Sequence, residues 1–264
     1  MQPVAIFGIT GRMGQSLLRA LGETSTFTLS GAVASAGSPR LGQDAAGEGA
    51  PTGVSITSDS ALGIRGASVA LDFSLGSGVA EHALICAAAG VPILVGATGL
   101  DLAGRAVLER AARDIAVLIA PNTSVGVTVA AQLVAMAAER LGPSYDVEIF
   151  DAHHRLKRDA PSGTALALGE AVAGVRGQCL SDVAVYDRTG RSAPRTSGSI
   201  GFSCLRAGDI VGEHTVTFAA AGERIEITHR ATDRMTFARG ALRAAEWLVG
   251  RPAGLYGMQN VLGL

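Results

Sequence analysis

The chain has 264 residues, of which 48% are hydrophobic and 17% are charged, and its formal net charge is −1. This composition excludes a disordered chain and is typical of one or two compact domains. Because so small a net charge gives no general basic field, we expect neither nucleic acid nor a membrane as a partner.

Targeting and redox signals are weak in this sequence. The chain begins with a strand-like run rather than a basic leader, and no apolar run reaches the ~20 residues of a membrane span. We therefore expect a cytoplasmic protein without a signal peptide. The widely spaced Cys86, Cys179 and Cys204 form no metal-ligand pair or disulfide framework, and we expect them to be buried.

The first half of the chain alternates apolar runs with helical patterns. The sequence predicts strands at residues 4–7, 28–33, 67–73, 91–96 and 116–120, and helices at 15–21, 79–89 and 102–113. Strands that are apolar throughout and separated by helices are typical of a parallel sheet covered on both faces. This half therefore predicts a doubly wound α/β domain.

The pattern changes near residues 122–126, where we place the join between two domains. Beyond it we predict helices at 124–141, 164–175 and 234–249, a strand at 146–153, and extended runs at 198–206, 209–214, 215–219 and 223–230. Ile225 and Ile227 alternate with polar neighbours, which is the period of a half-exposed sheet. We therefore predict an α+β domain with an open mixed or antiparallel sheet.

A glycine-rich turn follows the first strand. Gly8, Gly11 and Gly14 have G-x-x-G-x-x-G spacing, one residue longer than the commoner G-x-G-x-x-G. Such a turn directs backbone N–H groups and the helix dipole at one point, which suits a pyrophosphate. Any α/β protein can contain a glycine-rich turn, but its place after the first strand favours a Rossmann-like, dinucleotide-binding domain.

The segment after the second strand bears on cofactor preference. Residues 31–40 contain no Asp or Glu to hold an adenosine ribose. Nothing there repels a 2′-phosphate, which Arg12, Ser35, Ser38 or Arg40 could contact. We therefore expect NADPH at least to be tolerated.

Two further strand ends fit a cofactor crevice. Residues 96–99 and 120–123 each follow an apolar strand, and ligands of open α/β sheets bind at the carboxyl ends of strands. Each segment is equally compatible with an ordinary loop between a strand and a helix.

The segment 151–170 contains the residues most suited to catalysis. Five cationic or titratable side chains lie within six residues: His153, His154, Arg155, Lys157 and Arg158. Residues 161–164 then resemble a capped helix start whose N–H groups could hold a carboxylate. A solvated loop with a structural His pair is the alternative. Adjacent His residues on a strand point to opposite faces, so we predict no metal site.

These motifs resemble a known family. The run His-His-Arg-x-Lys-x-Asp-Ala-Pro-Ser-Gly-Thr-Ala at 153–165 resembles the signature of dihydrodipicolinate reductase, also called 4-hydroxy-tetrahydrodipicolinate reductase. Residues 8–14, 122–127, 206–214 and 227–238 also resemble that family, in order along nearly the whole chain.

The resemblance implies an enzyme of the diaminopimelate route to lysine, which reduces a cyclic imine dicarboxylate with NADH or NADPH. His153 and Lys157 match the acid/base groups of the family. The positions that match its substrate-carboxylate site are His154, Gly163, Thr164 and Arg234. The positions that match its cofactor site are Gly8, Ile9, Thr10, Gly11, Arg12, Met13, Gly96, Ala97, Thr98, Ala120, Pro121, Asn122 and Thr123. To the cofactor site we add Ser35.

The resemblance also bears on domains and assembly. It implies a dinucleotide-binding domain of residues 1–124 and 235–264, a substrate domain of residues 125–234, and a homotetramer formed through the sheet of the second domain. Family members usually carry an acid after the second strand, often followed by Arg. This chain has Ala34-Ser35-Ala36 there, so the family's cofactor preference does not transfer.

Two other functions stay open. Another NAD(P)-dependent amino-acid or imino-acid dehydrogenase would share the glycine turn but lack the block at residues 153–164. A non-catalytic NAD(P)-sensing protein would not need His153 and Lys157 beside an anion-binding helix start.

Overall fold

A computed structural model describes residues 1–47, 49–190 and 192–264. The chain divides into two compact units. The first comprises Met1–Val125 and Met235–Leu264, and the second comprises Gly126–Arg234. No helix in these described ranges combines the length and the apolar character that crossing a bilayer requires.

The first unit contains a parallel sheet of seven strands. These are β1 (Gln2–Phe7), β2 (Phe27–Val33), β3 (Ile56–Thr57), β4 (Val69–Asp72), β5 (Ile93–Val95), β6 (Ala116–Ile119) and β12 (Gly254–Tyr256). Their order is β12-β6-β5-β4-β1-β2-β3, so the direction of winding reverses between β1 and β4. Ligands of doubly wound sheets bind at the carboxyl ends of the strands at such a switch point, where the glycine turn follows β1.

Helices cover both faces of this sheet. They are α1 (Arg12–Leu21), α2 (Ser60–Gly63), α3 (Gly76–Ala89), α4 (Leu102–Ala111), α8 (Met235–Leu248) and α9 (Met258–Leu262). Alternate residues of β1 enter different cores: Val4 and Ile6 pack with α1 and α8, whereas Ala5 and Phe7 pack with α3 and α4. The prediction of a doubly wound, Rossmann-like domain is confirmed.

The second unit contains a mixed sheet with helices. Its elements are α5 (Val125–Leu141, which begins at the last residue of the first unit), β7 (Asp146–His153), α6 (Gly163–Val175), α7 (Leu180–Val183), β8 (Ala184–Val185), β9 (Ile200–Arg206), β10 (Gly212–Ala220) and β11 (Glu223–Ala231). The strand order is β11-β10-β7-β9-β8. Strand β10 is antiparallel to β11 and β7, whereas β9 is parallel to β7 and β8. The predicted α+β unit is confirmed, with a mixed sheet.

Several sequence predictions were wrong in detail. Helix α1 begins at Arg12 rather than residue 15, because Gly11 is its N-cap. The runs predicted at 209–214 and 215–219 form one strand from residue 212 to 220, since buried and half-buried residues alternate along it without a break. Cys86 is buried as expected, but Cys179 and Cys204 are exposed.

Candidate active site

The glycine turn of the first unit is shaped by close backbone contacts. Gly8 has φ +76°, and a Cβ there would lie 2.9 Å from the carbonyl oxygen of Phe73. A Cβ on Gly14 would lie 2.3 Å from the carbonyl oxygen of Gly8. Helix α1 has neither a side-chain cap nor an acidic residue in its first turn. The turn therefore fits an anionic group close to the backbone.

The backbone N–H groups of the turn divide into two sets. Those of Gly8 and Ile9 donate to the carbonyl of Val33, at 2.9 and 3.1 Å, and that of Gly11 donates to Gly8 at 2.9 Å. Ile9 is also fully buried. These residues therefore shape the turn. The first N–H groups of α1, by contrast, have no acceptor within their own helix.

A cavity of about 580 Å³ adjoins this turn. It is lined by the glycine turn with Thr10, by residues 33–36 at the end of β2, and by the start of α3. Of the four residues considered for a 2′-phosphate, Ser35 alone lines it. Arg40 instead donates to the backbone carbonyls of Asp44 and Ala45. The cavity lining includes Glu81 but, within the described part of the chain, neither Arg nor Lys.

His82, which lines this cavity, pairs with a buried aspartate. Asp72, at the end of β4, is fully buried, and its Oδ2 lies 2.7 Å from Nδ1 of His82. The His82 ring stacks on Phe7 with 4.1 Å between ring centroids. Sequence reasoning missed His82, although an acid at the end of an apolar strand was a usable signal.

A smaller cavity of about 330 Å³ brings the two strand-end loops together. Its predicted lining residues are Met13, Gly96, Ala97, Thr98, Pro121, Asn122 and Thr123. Ala120 is buried beside it, and its N–H donates to Val95. The Thr123 hydroxyl donates to the carbonyl of Phe237 at 2.7 Å, so it supports the loop.

In the second unit, strand β7 presents a buried carboxylate to a histidine. Asp151 and His153 lie two residues apart and therefore on one face of the strand. Oδ1 of Asp151 lies 2.7 Å from Nδ1 of His153. Asp151 is fully buried, whereas the His153 side chain keeps 11% of its surface exposed. Nδ1 itself is buried, so that exposure lies on other atoms of the side chain.

The second oxygen of Asp151 is also occupied. Oδ2 lies 2.9 Å from Nη2 of Arg206 and accepts the backbone N–H of Ser162 at 2.8 Å. Burial by itself would raise the pKa of Asp151, but hydrogen bonds from His153, Arg206 and Ser162 outweigh it and hold that pKa far below its usual range. Asp151 is therefore a carboxylate at neutral pH.

A second histidine completes this cluster. Nε2 of His214, on β10, lies 3.0 Å from the hydroxyl of Ser162 and 3.5 Å from Oδ1 of Asp151. Burial lowers the pKa of His214 to about 4 despite the opposing charge of Asp151. His214 is therefore neutral at pH 7. No local pattern in the sequence joins His214 to Asp151, and only the register of β10 against β7 does.

Lys157 lies in the loop after β7. It is the only lysine of the chain. All other side chains with a permanent positive charge are arginines. Its Nζ lies 2.9 Å from Oδ2 of Asp159. Burial opposes ionisation of Asp159, but Lys157 outweighs it and lowers the pKa of that carboxyl. A lysine among so many arginines suits proton transfer, since guanidinium does not release a proton in proteins.

The predicted capped helix start is present. Ser162 is the N-cap of α6, and its hydroxyl oxygen accepts the N–H of Ala165 at 3.2 Å. Gly163 and Thr164 follow in the first turn, which has no acidic residue. Arg234 is exposed at the end of the second unit.

Asp151, His153 and His214 also have the donor types of a metal site. Their ligand atoms all lie within 4.8 Å of one another. However, Arg206 lies 2.9 Å from the carboxylate that a cation would need. We therefore interpret the cluster as one that orients a histidine rather than one that binds a metal.

Comparison with known proteins assigns the chain to a family. The model of "Dihydrodipicolinate reductase, N-terminus" matches residues 2–123, and that of "Dihydrodipicolinate reductase, C-terminus" matches residues 126–262. The chain belongs to the dihydrodipicolinate reductase family. The resemblance predicted from the sequence is thereby confirmed, and with it an oxidoreductase that uses a nicotinamide cofactor.

Individual relatives match the chain over nearly its full length. The 4-hydroxy-tetrahydrodipicolinate reductase of Herminiimonas arsenicoxydans is 48% identical over 262 residues, which cover 99% of this chain and 98% of that protein. That of Anaeromyxobacter dehalogenans (strain 2CP-1 / ATCC BAA-258) is 48% identical over 266 residues, with 100% and 98% covered. The dipicolinate-bound dihydrodipicolinate reductase from Paenisporosarcina sp. TG-14 has the same fold, with TM-score 0.76, 22% identity, and 98% and 99% covered.

Proposed function

We propose that the chain reduces 4-hydroxy-tetrahydrodipicolinate to tetrahydrodipicolinate with NADH or NADPH, in the diaminopimelate route to lysine. The substrate gains a hydride and a proton, and water and the oxidised cofactor leave. The observation that carries the proposal is the cluster around Asp151 and His153 in the second unit of a chain that belongs to this family. There an oriented His153 and the only lysine flank a capped helix start.

The first unit supplies the cofactor site in this proposal. The glycine turn leaves the N–H groups of Thr10, Arg12 and Met13 to hold the pyrophosphate, since those of Gly8, Ile9 and Gly11 are used within the protein. Ser35 lines the cavity of about 580 Å³ beside the glycine turn, which we call the adenosine-side cavity. Residues 96–98 and 121–123 line the smaller cavity, and Ala120 lies beside it. The bound cofactor supplies the hydride.

The second unit supplies the substrate site. The N–H groups of Gly163 and Thr164 at the start of α6 bind one carboxylate, and His154 and Arg234 contribute to binding the diacid. Positive groups near both carboxylates withdraw electron density from the ring and favour hydride arrival. Lys157 or His153 delivers the proton.

The cofactor choice follows from the adenosine-side cavity. No acid stands after β2 to exclude a 2′-phosphate, but Glu81 lines the cavity and no described cation does. We therefore propose that NADPH is tolerated and NADH is used at least as well. If kcat/KM with NADH exceeded that with NADPH by more than ~100-fold, on the order of 3 kcal/mol, the proposal that NADPH is tolerated would be wrong.

The assembly is a further part of the proposal. The face of the second sheet opposite Asp151 carries Phe150 and Leu205, which are 38% and 43% exposed. We propose a cytoplasmic homotetramer in which these faces meet. Light scattering on the purified chain should give four times the 26.7 kDa chain mass, whereas a monomer would refute it.

The catalytic proposal is tested by absorbance of the reduced nicotinamide band, with freshly generated substrate and either cofactor. Lys157→Ala should lower kcat about 10²-fold or more. Lys157→Arg keeps the ion pair to Asp159 but not the proton donor, and it should be as slow. The control, Arg105→Ala, removes an exposed ion pair with Glu109 and should act like wild type. Normal turnover of Lys157→Ala would remove Lys157 from the reaction.

A further inference from the structure

The Asp151 cluster has a role beyond the groups already assigned. The two carboxylate oxygens of Asp151 contact residues of three different elements. Oδ1 faces His153 on its own strand, and Oδ2 binds Arg206 of β9 and the N-cap residue Ser162 of α6. One carboxylate thus links the proposed acid/base histidine to the proposed carboxylate-binding helix.

We propose that Asp151 is a positioning residue that holds the His153 ring with Nδ1 protonated and fixes it relative to the start of α6. This inference rests on the proposed function for its kinetic part. An ionised carboxylate carries no proton of its own, so the 2.7 Å distance between its Oδ1 and Nδ1 of His153 is favourable only when Nδ1 carries the proton. When His153 is neutral, its Nε2 is then the free acceptor.

The opposite edge of the ring supports this orientation. A Cβ added at Gly212, the first residue of β10, would lie 3.1 Å from Nε2 of His153. Because residue 212 is a glycine, there is space beside Nε2 of His153 that a side chain at this position would partly fill. The ring is therefore held by Asp151 on one edge and left uncrowded on the other.

Several titratable and charged groups surround the Asp151 carboxylate that orients His153. The titratable and charged groups of this cluster come from β7, the following loop, β9, β10 and β11: they are Asp151, Lys157, Asp159, Cys204, Arg206, His214 and His229. His214 is neutral at pH 7, and Arg206 keeps its charge, so Asp151 is the anion in contact with the His153 ring. Removing that anion disfavours the protonated ring.

The kinetic test is Asp151→Asn, which removes the charge and keeps the size. Loss of the carboxylate that fixes the ring should lower kcat about 10-fold or more, and the high-pH limb of the kcat profile should move to lower pH because the anion beside His153 is gone. The Kd for NADH, measured by nicotinamide fluorescence, should stay within about 2-fold, because the first unit is unchanged. A residue that merely supported the fold would lower stability without moving that limb.

The control is Asp182→Asn, the same change at an exposed aspartate of α7 whose Oδ1 accepts a hydrogen bond from the hydroxyl of Ser181. It leaves the Asp151 cluster intact, so its kcat and pH profile should match wild type. A folded Asp151→Asn protein with the kcat and pH profile of wild type would overturn the proposal.

A second measurement needs neither a folded variant of Asp151 nor turnover. Two-bond ¹H–¹⁵N spectra of the unliganded wild-type protein distinguish histidine tautomers, and a His153→Gln sample assigns the signal among the five histidines. Neutral His153 should be the Nδ1–H tautomer. An Nε2–H tautomer would overturn the proposal. If the wild-type protein shows the Nδ1–H tautomer but does not turn over the substrate, the result counts against the proposed function alone.

Discussion

Replacing Gly14 by alanine tests how the glycine turn is built. Gly14 lies in the first turn of α1, and an added Cβ would lie 2.3 Å from the Gly8 carbonyl oxygen and 2.6 Å from Cα of Ile9. These are backbone atoms that cannot rotate away. The turn between β1 and α1 must therefore open if Gly14 gains a side chain.

Two effects of opposite sign compete in Gly14→Ala. Alanine is better than glycine in a helix by about 1 kcal/mol. Forcing a methyl group into a packed site costs about 1–3 kcal/mol, or more where the contacts are backbone. Because backbone atoms of the adjacent residues Gly8 and Ile9 are in the way, we expect a net loss on the order of 2 kcal/mol, which lowers Tm by about 4–8 °C.

Thermal unfolding and NADH fluorescence titration measure the two consequences. Gly14→Ala should have a lower Tm, and the Kd for NADH should rise about 10-fold or more as the pyrophosphate site opens. The matched control is Gly174→Ala, at a helical glycine with nothing within 4 Å of an added Cβ. Its Tm should rise slightly. If Gly14→Ala were as stable as wild type and bound NADH normally, the turn would not depend on this contact.

Two further predictions concern stability and cofactor choice. His214 has a pKa lowered from 6.5 to about 4, so the unfolded chain binds more protons between those values, and stability should fall as pH decreases through that window. Urea unfolding should show that His214 lowers the free energy of unfolding by about 2 kcal/mol between pH 7 and pH 5. His214→Gln, if it folds, should lack this contribution. Equal pH dependence of stability in wild type and in His214→Gln would refute the prediction. Glu81→Gln removes the carboxylate of the adenosine-side cavity, so the Kd for NADPH should fall by about 2- to 10-fold relative to that for NADH. An unchanged ratio in paired fluorescence titrations would mean that Glu81 does not face the ribose.

Local patterns predicted much of the molecule because their causes are local. The turn of Gly8 and Gly14 and the cap at Ser162 depend on residues within a few positions of one another. The same holds for the doubly wound sheet, whose strands are marked by apolar runs and whose order follows from right-handed crossovers.

Contacts between distant segments could not be predicted in this way. Asp151 meets Arg206 and His214 only because β9 and β10 pair with β7 in a particular register. The cavity that contains Glu81 forms where α3 begins beside the glycine turn. The elements that the sequence analysis did not predict have only two to five residues, which is too few for a hydrophobic period to appear; they are β3, α2, α7, β8, β12 and α9.

Hydride transfer itself can be followed with a labelled cofactor. The chain would be mixed with 4-hydroxy-tetrahydrodipicolinate and NADH or NADPH carrying deuterium at both C4 positions, and the product would be analysed by mass spectrometry. The account predicts tetrahydrodipicolinate that contains one deuterium, formed in step with oxidised cofactor. Oxidation of the cofactor without deuterium in that product, or no product from either cofactor, would contradict it.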